Sequence, residues 1–278
     1  KYKIEKMNLT QYKQKQNKMA GRGRPRKNAT TSKTMLKHVE FTKMQDVKFD
    51  PSLFTPIKTG TIVDTVLSNE GGIFPGTNTV VIGDPGVGKS TVLLDLLANF
   101  QSKGKRVLFI SGEMNEIDMF GYVKRYPKFG RLPILFMQNY PQNPKSAIEL
   151  SLNQGFDIVL IDSWAEVNDM VQEENGWTRK KAESWLLDLM DKHNKAGNER
   201  NKHTAFINIQ QMTKGGDFAG SNRIKHMTTA MAQLKFDGRG RDALRYMVFS
   251  KNRRGDVGDK IYFSLFRPNN VEYSFEQV

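Results

Sequence analysis

Thr79-Val80-Val81-Ile82-Gly83-Asp84-Pro85-Gly86-Val87-Gly88-Lys89-Ser90-Thr91 decides the fold of this chain. Thr79–Ile82 is a short, β-rich apolar run. Gly83–Ser90 satisfies G-x-x-x-x-G-K-[ST] in full, and Thr91–Phe100 carries Leu93, Leu96, Leu97 and Phe100 at helical spacing. Strand, glycine-rich turn and helix in that order predict a phosphate cradle. The glycines let backbone N–H groups turn inward, and the helix N-terminus adds the positive end of its dipole. Gly83, Asp84, Pro85, Gly86, Val87, Gly88, Lys89, Ser90 and Thr91 are therefore the expected binding residues for ATP. Lys89 is expected to reach the β- and γ-phosphates and Ser90 to ligate Mg2+. A chance glycine-rich turn is the competing reading, and the flanking strand and helix argue against it.

Outward from the cradle, Val107–Ile110, Ile134–Met137, Asp157–Ile161 and Thr204–Asn208 are nearly continuous in apolar residues, as strands buried on both faces are. Tyr246–Ser250 and Ile261–Phe266 follow without long helices between them. Trp185, Leu186, Leu189 and Met190 mark a helix within Arg179–Lys195. The alternation predicts an α/β fold: a mostly parallel twisted sheet, helices on both faces, and an antiparallel C-terminal extension. Phe156–Ser163 is a buried run ending in one carboxylate, Asp162, which is costly unless it meets a cation or donors. Asp162 is thus expected beside Ser90 at Mg2+, with a helix N-cap as the alternative. Val107–Ile110 runs into Ser111-Gly112-Glu113-Met114, so Glu113 is the candidate base for the attacking water. Glu116 and Asp118 read as residues of a helix start.

The 278 residues make one large domain or two small ones. No apolar run approaches the length of a membrane span, the basic N-terminal stretch is followed by no apolar h-region and is not expected to be a secretory signal, and the sequence has no cysteine for zinc, disulfide or thiol chemistry. The formal charge is +14, and residues 1–50 hold 14 basic against 4 acidic residues. The charge excess points to a polyanion, most simply nucleic acid, with a solvated tail as the alternative. Residues 1–34 read as a disordered basic arm, 35–60 as a lead-in and 61–278 as the catalytic domain. Met19-Ala20 looks like a translation start. In the arm, Gly21-Arg22-Gly23-Arg24-Pro25-Arg26-Lys27 resembles an AT-hook. Arg22, Arg24 and Arg26 are candidate DNA contacts along a narrow minor groove, beside the alternative of a generic basic tail.

The order of motifs carries a resemblance. Gly60-Thr61-Ile62-Val63-Asp64 and Gly72-Ile73-Phe74-Pro75-Gly76 precede the cradle. Ser111-Gly112-Glu113, Ile161-Asp162-Ser163, Met212-Thr213-Lys214, Ala219-Gly220, Lys225-His226-Met227 and Lys251-Asn252-Arg253-Arg254-Gly255 follow it. Over roughly residues 55–266 the series resembles the RadA/Sms branch of the RecA/DnaB-type P-loop ATPases. The resemblance implies a RecA-like core, ATP and Mg2+ as ligands, and Glu113 as catalytic glutamate. It also implies Gln211 (Gln210 as fallback) as sensor of the γ-phosphate, and Lys251 and Arg253 as a finger reaching the neighbouring subunit's nucleotide. A DNA-contacting or solvated basic turn is the alternative for Lys251, Arg253 and Arg254. Against that branch, the sequence holds no cysteine for its zinc module, and about two dozen residues follow Lys251–Gly255 where the branch carries a C-terminal domain. It is similar to the minimal motor cores carried by bacteriophages.

Two segments are read as DNA-facing loops: 213–223, with Lys214, Phe218 and Arg223 as contacts, and Trp164–Arg179, whose Glu166, Asp169 and Glu173 make DNA less persuasive. Either could be an ordinary surface loop. The leading expectation is an oligomeric DNA-dependent ATPase of recombination or repair, a ring or filament on single-stranded or branched DNA. Its place would be the bacterial cytoplasm or a phage-infected cell, with neither membrane nor zinc involved. A DnaB-like replicative helicase, a KaiC-like ATP-switched protein and a nucleoid-type DNA binder with a vestigial cradle are the alternatives.

Overall fold

A computed structural model describes residues 41–48, 50–195, 203–210, 224, 227–240, 243–265 and 270–275. The chain falls into two units, Lys1–Lys48 and Phe49–Val278. In the first, the described residues hold one 3-10 turn, Met44–Asp46, with Phe41 and Met44 exposed.

The second unit is built on one sheet. Its strands are β1 (Asn78–Gly83), β2 (Val107–Ser111), β3 (Ile134–Phe136), β4 (Ile158–Asp162), β5 (Ala205–Ile209), β6 (Ala230–Asp237), β7 (Leu244–Asn252), β8 (Lys260–Ser264) and β9 (Glu272–Ser274). Their spatial order is β3-β2-β4-β5-β1-β6-β7-β8-β9. Pairings from β3 through to β6 are parallel, and those from β6 to β9 antiparallel. The apolar runs are continuous because each strand feeds two cores. Val81, Phe109, Ile158 and Leu160 face one, and Val80, Ile82, Ile110, Val159 and Ile161 the other.

Helices cover both faces. They are α1 (Asp64–Leu67), α2 (Lys89–Ser102), α3 (Glu116–Arg125), α4 (Pro144–Asn153), α5 (Trp164–Asn175) and α6 (Arg179–Lys195). Leu93, Leu96, Leu97 and Phe100 of α2 enter the first core, and Ile148, Val167, Val171, Leu186 and Met190 the second. Two details of α6 differ from the sequence pattern. Its buried stripe runs Ala182, Leu186, Leu187, Met190, while Trp185 and Leu189 sit half-buried on the flank. The Lys145 ammonium lies over the Trp185 ring, 5.7 Å from its centroid, which explains why that indole stays near the surface.

The segment expected to be a loop at Trp164–Arg179 is mostly helix. Ser163 caps α5 by accepting from the Glu166 N–H, and Gly176 ends it in the left-handed region at φ +58°. Trp164, Val167 and Val171 form its buried stripe, so Glu166 and Glu173 are surface residues of a helix. Two strands had no counterpart in the sequence reading. β6 alternates Ala230, Ala232 and Leu234 inward with half-buried residues between, and β9 is only three residues long. The last apolar run also ends early: β8 stops at Ser264, and Phe266 is outside the described residues.

Candidate nucleotide site

β1 ends at Gly83, where the chain must pass very close to β6. A Cβ there would lie 2.3 Å from the Leu234 carbonyl oxygen. The Asp84 N–H donates to that same oxygen at 3.3 Å. Gly86 (φ +75°) and Gly88 (φ +100°) then hold the left-handed backbone that the inward curl of the loop requires. Around Gly86 a Cβ would meet nothing, so the loop is open where phosphates would sit. At Gly88 a Cβ would strike Leu265 at 2.3 Å. Val87 plugs the loop into the core with no exposure, and α2 starts at Lys89.

Lys89 bends back over this loop. Its Nζ donates to the Gly83 and Asp84 carbonyls at 2.9 and 3.0 Å. Burial pulls its pKa down, against the pull of Asp162, Asp84 and Glu113. Ser90 Oγ donates to Asp162 Oδ2 at 2.5 Å. Asp162 closes β4, which pairs with β2 so that Ser111 and Asp162 are partners, and the Gly112 N–H donates to the Asp162 carbonyl at 2.7 Å. The Asp162 carboxyl is 3% exposed and its pKa is pushed up to about 6. Burial is the main cause and Glu113 adds to it, while the Ser90 hydroxyl and Lys89 oppose it.

Glu113 follows β2 on a turn made by Ser111, whose Oγ donates to the Met114 carbonyl and accepts from the Met114 N–H. It is exposed, and its charge is felt by both Lys89 and Asp162. Next come Asn115 as N-cap and Asp118 in a reciprocal capping box, so Glu116 and Asp118 do belong to a helix start. Sequence reading missed Tyr122 of α3, whose hydroxyl hydrogen-bonds the Thr91 side chain and whose pKa is raised by burial. Its spacing from the buried Met119 and Tyr126 was the available signal.

The site fits its implied ligands. Open left-handed glycines, an ammonium and a helix N-terminus suit a triphosphate. Ser90 and Asp162 suit a hard cation that takes its remaining oxygens from phosphate and water. Among the described residues no group of three or more His, Cys, Asp and Glu could hold a metal by itself.

The Lys251–Gly255 turn lies elsewhere. Lys251 pairs with Met231, which pairs with Val80, whereas Gly83 pairs with Leu234. β7 runs antiparallel to β1 and β6, so its end lies at the sheet edge opposite the P-loop. Asn252 Nδ2 donates to the Val66 and Leu67 carbonyls at 3.2 Å each, capping α1. Gly255 packs on Ser68, where a Cβ would lie 2.9 Å from Cα. The Arg254 guanidinium lies 5.0 Å from the Phe74 ring centroid and 5.9 Å from that of Phe54. Arg253 is exposed; the Lys251 side chain is half-buried, and burial lowers its pKa. α1 is itself fixed by Asp64, which accepts from the Thr59 N–H, the Thr59 hydroxyl and the Gly60 N–H, each at 2.8 Å.

Gln210, the fallback sensor, is buried directly after β5, and its N–H donates to the Val81 carbonyl at 2.9 Å. Gln211, Lys214, Phe218, Arg223, His226 and the arm residues Arg22, Arg24 and Arg26 lie outside the described residues.

No protein-family model matches the chain. It is similar to DNA repair protein RadA of several bacteria. The Mycobacterium tuberculosis protein is 29% identical over 219 residues, covering 76% of this chain and 41% of the relative. That of Halalkalibacterium halodurans is 30% identical over 200 residues, covering 70% and 40%. The chain thus spans about two fifths of the length of these curated relatives. Among solved structures it resembles a KaiC-like protein from Pyrococcus horikoshii, with TM-score 0.57 and 18% identity over 79% of this chain and 99% of the other. It also resembles flagellar accessory protein FlaH from Methanocaldococcus jannaschii, with TM-score 0.52 and 12% identity over 76% and 94%.

Proposed function

We propose that this chain, a RadA-like ATPase core of the RecA type, hydrolyses ATP in an oligomer assembled on DNA and serves recombination or repair. The observation that carries the reading is the split of the site across the sheet. The P-loop, Ser90, Asp162 and Glu113 gather at the C-terminal ends of the parallel strands, and the Lys251–Arg253 turn sits at the opposite edge. A single copy has the cradle and the base but cannot bring its own finger to them.

In this reading Lys89 leaves the Gly83 and Asp84 carbonyls for the β- and γ-phosphates. Ser90 Oγ and the Asp162 carboxylate hold Mg2+, which when bound neutralises charge on the phosphates. Glu113, exposed and next to the site, orients the attacking water and takes its proton. Lys251 and Arg253 of a neighbouring copy stabilise the charge that develops on the transferred phosphoryl group. Gln211 or Gln210, following β5, would report the state of the γ-phosphate to 213–223, whose Lys214, Phe218 and Arg223 contact DNA. Asn252 and Gly255 give the finger a rigid seat, and Arg254 is spent on aromatic rings. The finger residues of this reading, Lys251 and Arg253, are those that match the family motif.

The reading is tested by ATPase rate against protein concentration, with and without single-stranded DNA. Turnover per subunit is expected to rise with both. Mixing Lys89→Ala with Arg253→Ala, each inactive alone, is expected to restore part of the activity at mixed interfaces. A monomer turning over at full speed, or a mixture as silent as its components, would overturn the shared site. No response to DNA between low and physiological salt would favour a slow, ATP-switched protein instead.

A further inference from the structure

The β6–β7 hairpin is a cationic projection from the same sheet edge as the P-loop. Its sequence, Lys235-Phe236-Asp237-Gly238-Arg239-Gly240-Arg241-Asp242-Ala243-Leu244-Arg245, repeats the Gly-Arg-Gly-Arg of the N-terminal arm. Register fixes its place. Gly83 pairs with Leu234, and the strand runs three residues further to Asp237, about 10 Å beyond the start of the cradle.

Two features of the tip suit a ligand carrying negative charge. The first is an exposed cation. The Asp237 carboxylate accepts from the Tyr262 hydroxyl at 2.8 Å and the Lys260 ammonium at 3.3 Å, and both contacts hold its pKa low. Asp237 is therefore committed to β8, and Asp242 lies outside the described residues. Arg245 is committed as well, with its guanidinium 5.2 Å from the Phe236 ring centroid. Arg239 is exposed, and among the described residues it has neither ion pair nor hydrogen bond. The second feature is access. Gly238 (φ +93°) and Gly240 (φ +90°) flank Arg239, and a Cβ on either would meet no atom within 4 Å. The backbone at Gly238 and Gly240 is open to a phosphate backbone.

The hairpin is also tied to the P-loop. Leu234 is fully buried, its carbonyl accepts from the Asp84 N–H, and it leaves no room for a Cβ at Gly83. A shift of β6 along its axis therefore cannot occur without moving the residue that starts the cradle.

We propose that Arg239, just past the end of β6, contacts the phosphate backbone of bound nucleic acid and passes that contact to the P-loop through the Leu234–Asp84 hydrogen bond. The proposal rests on the DNA reading above and adds to it a contact distinct from the arm and from 213–223.

The test uses the full chain and a fluorescein-labelled 20-nucleotide oligo(dT), followed by anisotropy from 50 to 250 mM NaCl. One phosphate contact on a single strand is worth about 0.7 in the slope of log affinity against log salt. Arg239→Gln is expected to lose about that much, and Arg239→Lys to keep it. In parallel, the affinity for a fluorescent ADP is measured with and without saturating oligo(dT). The parent is expected to show a DNA-dependent shift that Arg239→Gln reduces at least threefold, since coupling between two ligands is reciprocal. A parent that binds DNA, with Arg239→Gln matching it in slope and in shift, overturns the hairpin contact and leaves the DNA reading standing. Loss of slope with an unchanged shift overturns the link to Leu234. A parent that does not bind oligo(dT) overturns both readings.

Discussion

Asp162 offers a test in which stability and function move in opposite directions. Its carboxyl is buried, and its pKa stands at about 6 instead of the ordinary 3.8. Below the lower value it is protonated in the folded and unfolded chain alike and the fold bears no penalty. As pH rises through about 6 the buried charge costs the fold about 3 kcal/mol, so stability falls over that window. Asp162→Asn removes the charge and still offers the Ser90 hydroxyl an acceptor, at the cost of burying an amide NH2. The net gain at pH 8 is expected to be about 1–2 kcal/mol, or roughly 2–8 °C in melting temperature for a body of this size. The assay is a thermal melt of both proteins from pH 4 to 8, without ligand and again with ATP and Mg2+. Without ligand the variant should melt higher at pH 8, and the gap should close towards pH 4. With ligand, only the parent should gain strongly. A gap that is constant across pH, or a variant less stable than the parent at pH 8, would refute the claim that burial of this charge raises its pKa. Equal ligand-induced gains would remove Asp162 from the metal site.

Glu113→Gln is expected to bind ATP normally and to hydrolyse it about 10²–10⁴-fold more slowly, read by fluorescent nucleotide binding beside single-turnover hydrolysis; undiminished turnover would take the base role from Glu113. Gly88→Ala must place a side chain at φ +100° and push a methyl to within 2.3 Å of Leu265. A loss of about 1–3 kcal/mol is expected in urea unfolding, with weaker nucleotide binding, and a neutral effect would mean that the turn is not held as described. Asp95 is wholly buried in α2, where it accepts from Tyr273 at 2.9 Å and Asn99 at 3.0 Å and pairs with Lys128. Removing it in Asp95→Ala leaves these donors unmatched and should cost about 3–5 kcal/mol in the same assay. A cost below 1 kcal/mol would show that the cluster does not anchor β9 to the P-loop helix.

What could be read in the sequence follows from how residues are used. Strands β1, β2, β4 and β5 stood out because burial on both faces forces unbroken apolar runs. The P-loop stood out because Gly86 and Gly88 meet a backbone need that few other residues meet. β6 was missed because only every second residue faces the core, and Gln233, Lys235 and Asp237 dilute the run. α5 was taken for a loop because its acidic surface outweighed the three-residue and four-residue spacing of Trp164, Val167 and Val171. The contact of Ser90 with Asp162 was inferable from strand ends, since Asp162 closes β4 and Ser90 opens the helix that follows β1, both at one sheet edge. The seat of Asn252 on α1 was not, because it joins residues 186 positions apart through side chain and carbonyl alone.

The placement of the two halves of the site constrains how copies can associate. If Lys251 and Arg253 act on another copy's phosphates, the surface that donates lies at one edge of the sheet and the surface that receives lies at the other. One interface then joins unlike faces, and it leaves one copy with an unused receiving face and the other with an unused donating face. Such contacts propagate head to tail until they close as a ring or continue as a filament; a two-fold dimer would leave at least one cradle without its finger unless both edges met at once. The end of β6 lies at the receiving edge, beside the P-loop. A strand of nucleic acid running past successive copies would therefore meet each one next to the site that it governs. With the finger supplied in this way, turnover would be a property of the contact between copies, and activity is expected to titrate with interfaces rather than with subunits. In mixtures of parent with the double variant Lys89→Ala/Arg253→Ala, activity should fall as the square of the parent fraction, because a working site takes its cradle from one copy and its finger from the next. A fall in simple proportion to the parent fraction would place the finger within its own copy, contrary to the strand order.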